Sequence, residues 1–334
     1  KMTNVGISGL GAVGSQLLQR LQSRNDINKL VIYDSDYSKL GKHSRKNSQK
    51  IQVASSPKLE QGDIDVLFLC TPSGQHLEYA HRAVRQGISI ISVSDRISDV
   101  TGMLSMGEIA RESGCTVVAG AGFSPGLTCV LASFLSDNFD VVDEIHIAKD
   151  GTGGPACARQ HHRAMKRPSL DWRDGQWVRR PGGSGRELVW FPEPVGGADC
   201  YRAALPDAAL LQPLFPEVSR ITARLSASRQ DRFTSWLPML TPPHNDGGIG
   251  AVRVEVRGQL NKRRETKVLG VASPPSTLSA IIGETALSYV KESNLYGAGG
   301  IASIVPAEEF VGLIRQKGVR IFEFDGIPSS LDSA

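Results

Sequence analysis

Two stretches of the chain combine residue types and spacings that can do chemistry. The first is Gly9-Leu10-Gly11-Ala12-Val13-Gly14, a GxGxxG run. An apolar strand entry, Val5–Ser8, leads into it, and Ala12–Leu21 follows with Val13, Leu17, Leu18 and Leu21 at helical spacing. A second strand, Lys29–Tyr33, then ends at Asp34, 20 residues after Gly14. In that order the spacing has a mechanism. Gly9 permits a tight turn, and Gly11 lets the backbone approach a pyrophosphate seated on the N–H groups of the helix start, where Ala12 and Val13 lie. Gly14 lets the helix pack closely on the strand. Asp34 accepts hydrogen bonds from ribose hydroxyls, and its charge repels a 2′-phosphate, so NAD is expected over NADP. The counterweight is the basic stretch Lys39, Lys42, His43, Arg45 and Lys46, which could hold a 2′-phosphate if Asp34 swung away; a solvated loop is its other reading. Thr71-Pro72-Ser73 follows the continuous apolar strand Asp65–Cys70. Ligands of open α/β sheets lie over strand carboxyl ends, so this turn is expected beside the nicotinamide.

The second stretch is Gly151–Lys166. It opens on a glycine run and ends on paired histidines among cations. Arg159 or Arg163 can hold a substrate carboxylate bidentately. His161 or His162 can relay a proton, and Lys166 can do either job. Adjacent histidines point to different faces of a helix, so at most one is expected to face the substrate. The competing reading is a basic, solvated helix, with proton transfer then falling to Asp95 and the Lys149–Asp150 strand end. Residues 159–186 hold eight cations against Asp171 and Asp174, a charge of +6 in a chain whose total is +4.

Strand and helix signals alternate over the first 120 residues, which predicts an α/β fold whose N-terminal part is a Rossmann, doubly wound parallel sheet. Beyond about residue 125 the pattern changes. Ile221, Ala223 and Leu225 alternate with polar residues, as do Val252, Val254 and Val256. Alternation marks strands with one wet face, so a second α+β domain with a mostly antiparallel sheet is expected. The predicted organisation is a dinucleotide-binding domain over 1–125, a substrate and dimerisation domain over 126–275, and a C-terminal helix and tail over 276–334 that return to the first domain. Gly151–Gly197 is too long for an ordinary connection and is expected to be functional or mobile.

Ala119-Gly120-Ala121-Gly122-Phe123-Ser124-Pro125-Gly126-Leu127 resembles a turn of the saccharopine dehydrogenase (glutamate-forming) family, which includes carboxynorspermidine dehydrogenase-like enzymes. A similar turn occurs in meso-diaminopimelate dehydrogenase, which Asp63–Cys70 and Ser276–Glu309 also resemble. The resemblance implies that the turn joins the two domains and faces the active site. Gly122 would then lie by the cofactor, and Phe123 and Ser124 by the substrate. Asp95 resembles the acidic position that contacts the substrate amine in diaminopimelate dehydrogenase; a helix N-cap or surface ion pair is its bland reading. The implied activity is NAD(P)-dependent hydride transfer at an imine or amine carbon of a carboxylated, amino-acid-like molecule, in an enzyme that is a homodimer. An aldehyde or ketone reductase and a non-catalytic dinucleotide-binding regulator are the alternatives.

Composition narrows the classes. The 334 residues are 40% hydrophobic and 22% charged, an ordinary globular balance that suggests two domains. No apolar run is long enough for a bilayer and no signal peptide is evident, so no membrane partner and a cytoplasmic location are expected. The five cysteines are odd in number with no CxxC pair, which fits reduced thiols. No metal site is expected; His244, Asn245 and Asp246 are too few to argue one. Trp172 and Trp177 are interleaved with arginines, as in nucleic-acid binders, but the low net charge and missing recognition motif argue against such a partner.

Overall fold

The computed structural model describes residues 2–44, 49–55, 64–228, 232, 237, 239, 247–292 and 295–324. The chain begins β1 (Thr3–Ser8), α1 (Ala12–Gln22), β2 (Ile27–Tyr33), α2 (Tyr37–Ser44), β3 (Ile51–Val53), β4 (Val66–Leu69), α3 (His76–Val84), β5 (Ser89–Ser92), α4 (Ile97–Leu104), α5 (Gly107–Glu112) and β6 (Thr116–Ala119). It continues through α6 (Leu127–Ser136), β7 (Val141–Asp150), α7 (Pro155–Ala164), β8 (Ser169–Arg173), β9 (Gln176–Arg180), β10 (Glu187–Trp190), β11 (Gly197–Arg202), α8 (Asp207–Leu211), β12 (Arg220–Ser226), β13 (Gly250–Leu260) and β14 (Arg263–Ser273). It closes with α9 (Pro275–Glu292), β15 (Gly297–Gly300), α10 (Ala307–Gln316) and β16 (Phe322–Phe324).

The first sheet has the order β15-β6-β5-β4-β1-β2-β3, and every pair in it is parallel. Every residue of β4 is buried, which is why its sequence reads as an unbroken apolar run rather than an alternation. Helix α1 turns Leu17, Leu18 and Leu21 inward. Its outer side is tied to α9, where Gln16 reaches Ser276 and Arg20 pairs with Glu284 at 2.8 Å. The fold is thus the doubly wound α/β arrangement that the alternating signals predict.

The second sheet runs β10-β11-β12-β7-β13-β14-β16, with β8 pairing β12 and β9. Its pairs are antiparallel except β12 on β7, which is parallel. A parallel neighbour needs a long crossover, and the chain between β7 and β12 supplies it. Ile221, Ala223 and Leu225 of β12 and Val252, Val254 and Val256 of β13 are buried, as the alternation predicts. The opposite face is not wet throughout: Thr222, Glu255 and Ala251 are buried there, and Ala251 joins a second apolar cluster with Val189 and Phe191. One apolar core runs from Ile7 of the first sheet to Val254 of the second.

Residues 151–197 are not an open loop. They form α7 and the strands β8, β9 and β10. The β8–β9 hairpin turns at Asp174 and Gly175, both at positive φ, the conformation an Asp-Gly pair favours. Strand β9 is mostly exposed, so its arginines leave no alternation to read. Among the described residues, no helix is long and apolar enough to cross a membrane.

Candidate functional site

Five loops leave the carboxyl edge of the parallel sheet on one side of the molecule. They carry the Gly9–Gly14 turn, Asp34, Thr71–Ser73, Asp95 and the Gly120–Gly126 turn. Strand β7 and the start of α7 close over them. Together they enclose a cavity of about 420 Å³, lined from the first domain by Gly9, Gly11, Ala12, Val13, Asp34, Thr71, Pro72 and Ser73. Gly11 caps α1 with no side-chain acceptor on the helix N–H groups, and a Cβ built on it meets nothing within 4 Å. That open cradle at a helix N-terminus is what a pyrophosphate requires. Gly14 does not line the cavity. Its Cβ would collide with the Gly9 carbonyl, so it serves the close helix–strand approach instead. Asp34 is buried, and both of its carboxylate oxygens are held: Oδ2 accepts from the Leu10 N–H at 2.6 Å and Oδ1 from the Asp36 N–H at 2.8 Å. Lys39 Nζ lies 3.5 Å from Oδ2. Of the rest of the basic stretch, Arg45 and Lys46 lie outside the described residues, as do His244, Asn245 and Asp246.

The far wall of the cavity is polar and buried. Asp95 Oδ2 lies 3.1 Å from His161 Nε2 and 3.3 Å from the Cys157 thiol, while Oδ1 accepts from the Ser73 hydroxyl at 2.8 Å. Cys157 and His161 stand one helical turn apart on α7, with Sγ and Nε2 3.4 Å apart. Lys149 is 1% exposed, and its Nζ donates to the Ser124 carbonyl at 3.0 Å. The Ser124 hydroxyl donates in turn to Asp207, which also accepts from Thr128 at 2.5 Å. Phe123 and Ser124 line the cavity; Gly122 sits behind them, its N–H bonded to the Pro125 carbonyl.

These groups set one another's protonation. Burial opposes charge on Asp95, but its bond to His161 and the Lys149 charge outweigh that and hold the carboxyl below its usual range. Burial pushes the His161 imidazole down, and the Lys149 charge adds to it. At neutral pH the pair is therefore a carboxylate accepting from a neutral imidazole. Burial pushes the Cys157 thiol far up, with Asp95 adding, so it stays protonated. Burial likewise raises Asp207, against the pull of Lys149.

The cationic segment divides by helix face. Arg159 and His161 line the cavity. His162 and Lys166 instead meet the Leu237 carbonyl, at 2.8 and 3.2 Å, and Arg163 is exposed. None of these three lines the cavity: a helix rotates about 100° per residue, which turns His162 and Arg163 away, and Lys166 lies beyond the end of α7. Lys149 and Cys157 complete the wall. Their signals were in the chain: Lys149 continues the inward register of Ile145 and Ile147 on β7, and Cys157 stands four residues before His161.

Residues 4–116 match the family model described as semialdehyde dehydrogenase, NAD binding domain. No curated protein matches the chain. Among solved structures, saccharopine dehydrogenase (L-Glu forming) from Saccharomyces cerevisiae superposes at TM-score 0.70 with 13% identity, covering 96% of this chain and 100% of its own. An amine dehydrogenase from Mycobacterium smegmatis gives 0.55 and 10%, covering 92% and 96%. DAP dehydrogenase from C. glutamicum gives 0.52 and 12%, covering 91% and 94%. The chain therefore has the fold of NAD(P)-dependent dehydrogenases, and its first domain is of the NAD-binding kind. Within that class the structural neighbours include dehydrogenases of amino acids and amines.

Proposed function

We propose that this protein is an NAD(P)-dependent oxidoreductase acting at a carbon–nitrogen centre of a carboxylated, amino-acid-like molecule. The observation that carries the reading is a single cavity shared by the GxGxxG turn and a buried Asp95–His161–Lys149 group. The residues present fit a nicotinamide dinucleotide: an uncapped α1 N-terminus for the pyrophosphate and an anchored Asp34 for the ribose. When bound, it supplies or accepts the hydride.

The chain's own residues supply the rest. Arg159, at the cavity edge, offers a planar fork to a substrate carboxylate. Asp95, held as an anion, favours a cationic iminium or ammonium over a neutral carbonyl, which is why C–N chemistry fits better than aldehyde reduction. His161 is neutral and hydrogen-bonded to Asp95, so its ring can exchange a proton at the substrate nitrogen with Asp95 fixing its orientation. Burial of the wall by Phe123 and α7 keeps water from the reacting carbon. NAD is the preferred cofactor, since two backbone N–H bonds keep the Asp34 charge where a 2′-phosphate would sit.

The test is a panel of 2-oxo acids with and without amine donors, following NADH consumption. Turnover that requires the amine supports the reading. Efficient turnover of an aldehyde or ketone with no amine present overturns it in favour of a carbonyl reductase.

A further inference from the structure

Asp95, Cys157 and His161 do more than hydrogen-bond. Each offers one ligand atom, and all three atoms lie within 4.8 Å of one another. In a tetrahedral zinc site with Zn–S near 2.3 Å and Zn–N and Zn–O near 2.0 Å, ligand atoms stand roughly 3.3–3.5 Å apart. Here the Sγ–Nε2, Sγ–Oδ2 and Nε2–Oδ2 edges are 3.4, 3.3 and 3.1 Å. Each edge lies within about 0.2 Å of its tetrahedral value.

We propose that Asp95, Cys157 and His161 form a three-ligand Zn²⁺ site whose fourth position opens into the cavity. The donor set is selective: thiolate and imidazole suit zinc and exclude magnesium and calcium, which want oxygen. Ligand placement is preorganised. Cys157 and His161 share one face of α7 at i and i+4, and the Ser73 hydroxyl on Oδ1 turns Oδ2 toward the other two. The cavity is the entry path, since all three residues line it. Lys149 is the opposing charge. It is partly balanced by Asp207, and binding adds the Cys157 thiolate to the Asp95 carboxylate, two negative charges against the metal's two positive.

The proton balance is explicit. Cys157 S–H loses one proton to solvent as the Zn–S bond forms. The His161 ring proton moves to Nδ1 so that Nε2 can donate its lone pair, with no net release. Asp95 exchanges two accepted hydrogen bonds for a metal bond. A metal-bound Nε2 carries no proton, so the zinc-loaded protein is a separate state from the metal-free one in which His161 exchanges the substrate proton. The inference stands on ligand geometry and does not depend on the imine reading.

The experiment is a Co²⁺ titration of the chelator-treated protein, followed by Zn²⁺ competition. A sulfur-to-cobalt charge-transfer band and tetrahedral ligand-field bands should saturate at one metal per chain, with one proton released and full displacement by Zn²⁺. Cys157→Ser should abolish the charge-transfer band, and Cys200→Ser should keep it. Ser73→Ala should weaken affinity by about 10–100-fold. NADH fluorescence on Cys157→Ser and Cys200→Ser shows that the fold and cofactor site persist. A native protein that gives no charge-transfer band, or a band that survives Cys157→Ser, overturns the proposal. Those readouts need no substrate, so failure of imine turnover leaves them standing.

Discussion

His161 Nε2 stands 3.1 Å from Asp95 Oδ2, although Asp95 follows β5 of the parallel sheet and His161 rides on α7, beyond the first strand of the second sheet. Both side chains are buried, so the contact joins the two halves of the molecule inside the cavity that both of them line. It also ties the orientation of α7 to the sheet that carries the dinucleotide fingerprint.

His161→Ala should lower kcat by about 10²–10⁴-fold, the range for loss of a positioned acid or base. Arg159→Ala should mainly raise KM. His162→Ala, Arg163→Ala and Lys166→Ala should stay near native kinetics, because these side chains face away from the cavity. Steady-state kinetics on the five variants is the check. Equal damage from His162→Ala and His161→Ala would mean that the face assignment is mistaken.

Gly11→Val should abolish NADH fluorescence enhancement while leaving Tm within a degree or two, since its side chain enters open space rather than the core. Gly14→Val should unfold the helix–strand contact instead. A Gly11→Val protein that binds NADH normally would remove the pyrophosphate from this cradle.

Asp34→Ser should move the NAD:NADP affinity ratio toward NADP by at least about tenfold, equivalent to about 1.4 kcal/mol. Fluorescence titration with NADH and NADPH at matched salt measures it. Tighter NADPH binding by the native protein would shift the ribose role to Lys39 and its neighbours.

Lys149→Met should lower stability by about 3–5 kcal/mol, because it leaves Asp95 and Asp207 buried without their common cation. Adding Asp207→Asn should restore part of that loss, a coupling readable by denaturant melts. Additive damage from the two changes would show that the charges do not communicate.

Stability should fall as pH drops through about 6.5, the ordinary histidine value. His76, His146 and His161 are all pushed down chiefly by burial. A depressed folded value means that the unfolded chain takes up the proton first, so the contribution is complete above about pH 6.5 and is lost below it. His76 is fully buried, and that burial outweighs the Thr71 carbonyl 2.7 Å from its Nε2 and the nearby Asp99 and Asp95 charges, all of which favour the cation. Tm should decline between about pH 7.5 and 5.5, and His76→Gln should flatten the slope. A pH-independent Tm for the native protein would contradict this.

Sequence alone determined the dinucleotide half. The strand, GxGxxG, helix and Asp34 follow one another within a single βαβ unit, so local spacing and apolar periodicity carry the whole message. The same holds for the alternating strands β12 and β13, whose apolar residues announce the face that packs on the main core. Only the tertiary structure decided the chemical wall. Asp95, Lys149, Cys157 and His161 are scattered along the chain, and each taken singly reads as a cap, a surface charge or a solvated helix. What makes them a site is the packing of α7 and β7 over the carboxyl edge of the parallel sheet. That packing selects His161 over His162 by a rotation of about 100°. It also buries Lys149 among carboxylates, so their charge states follow from burial and proximity, which no local pattern encodes.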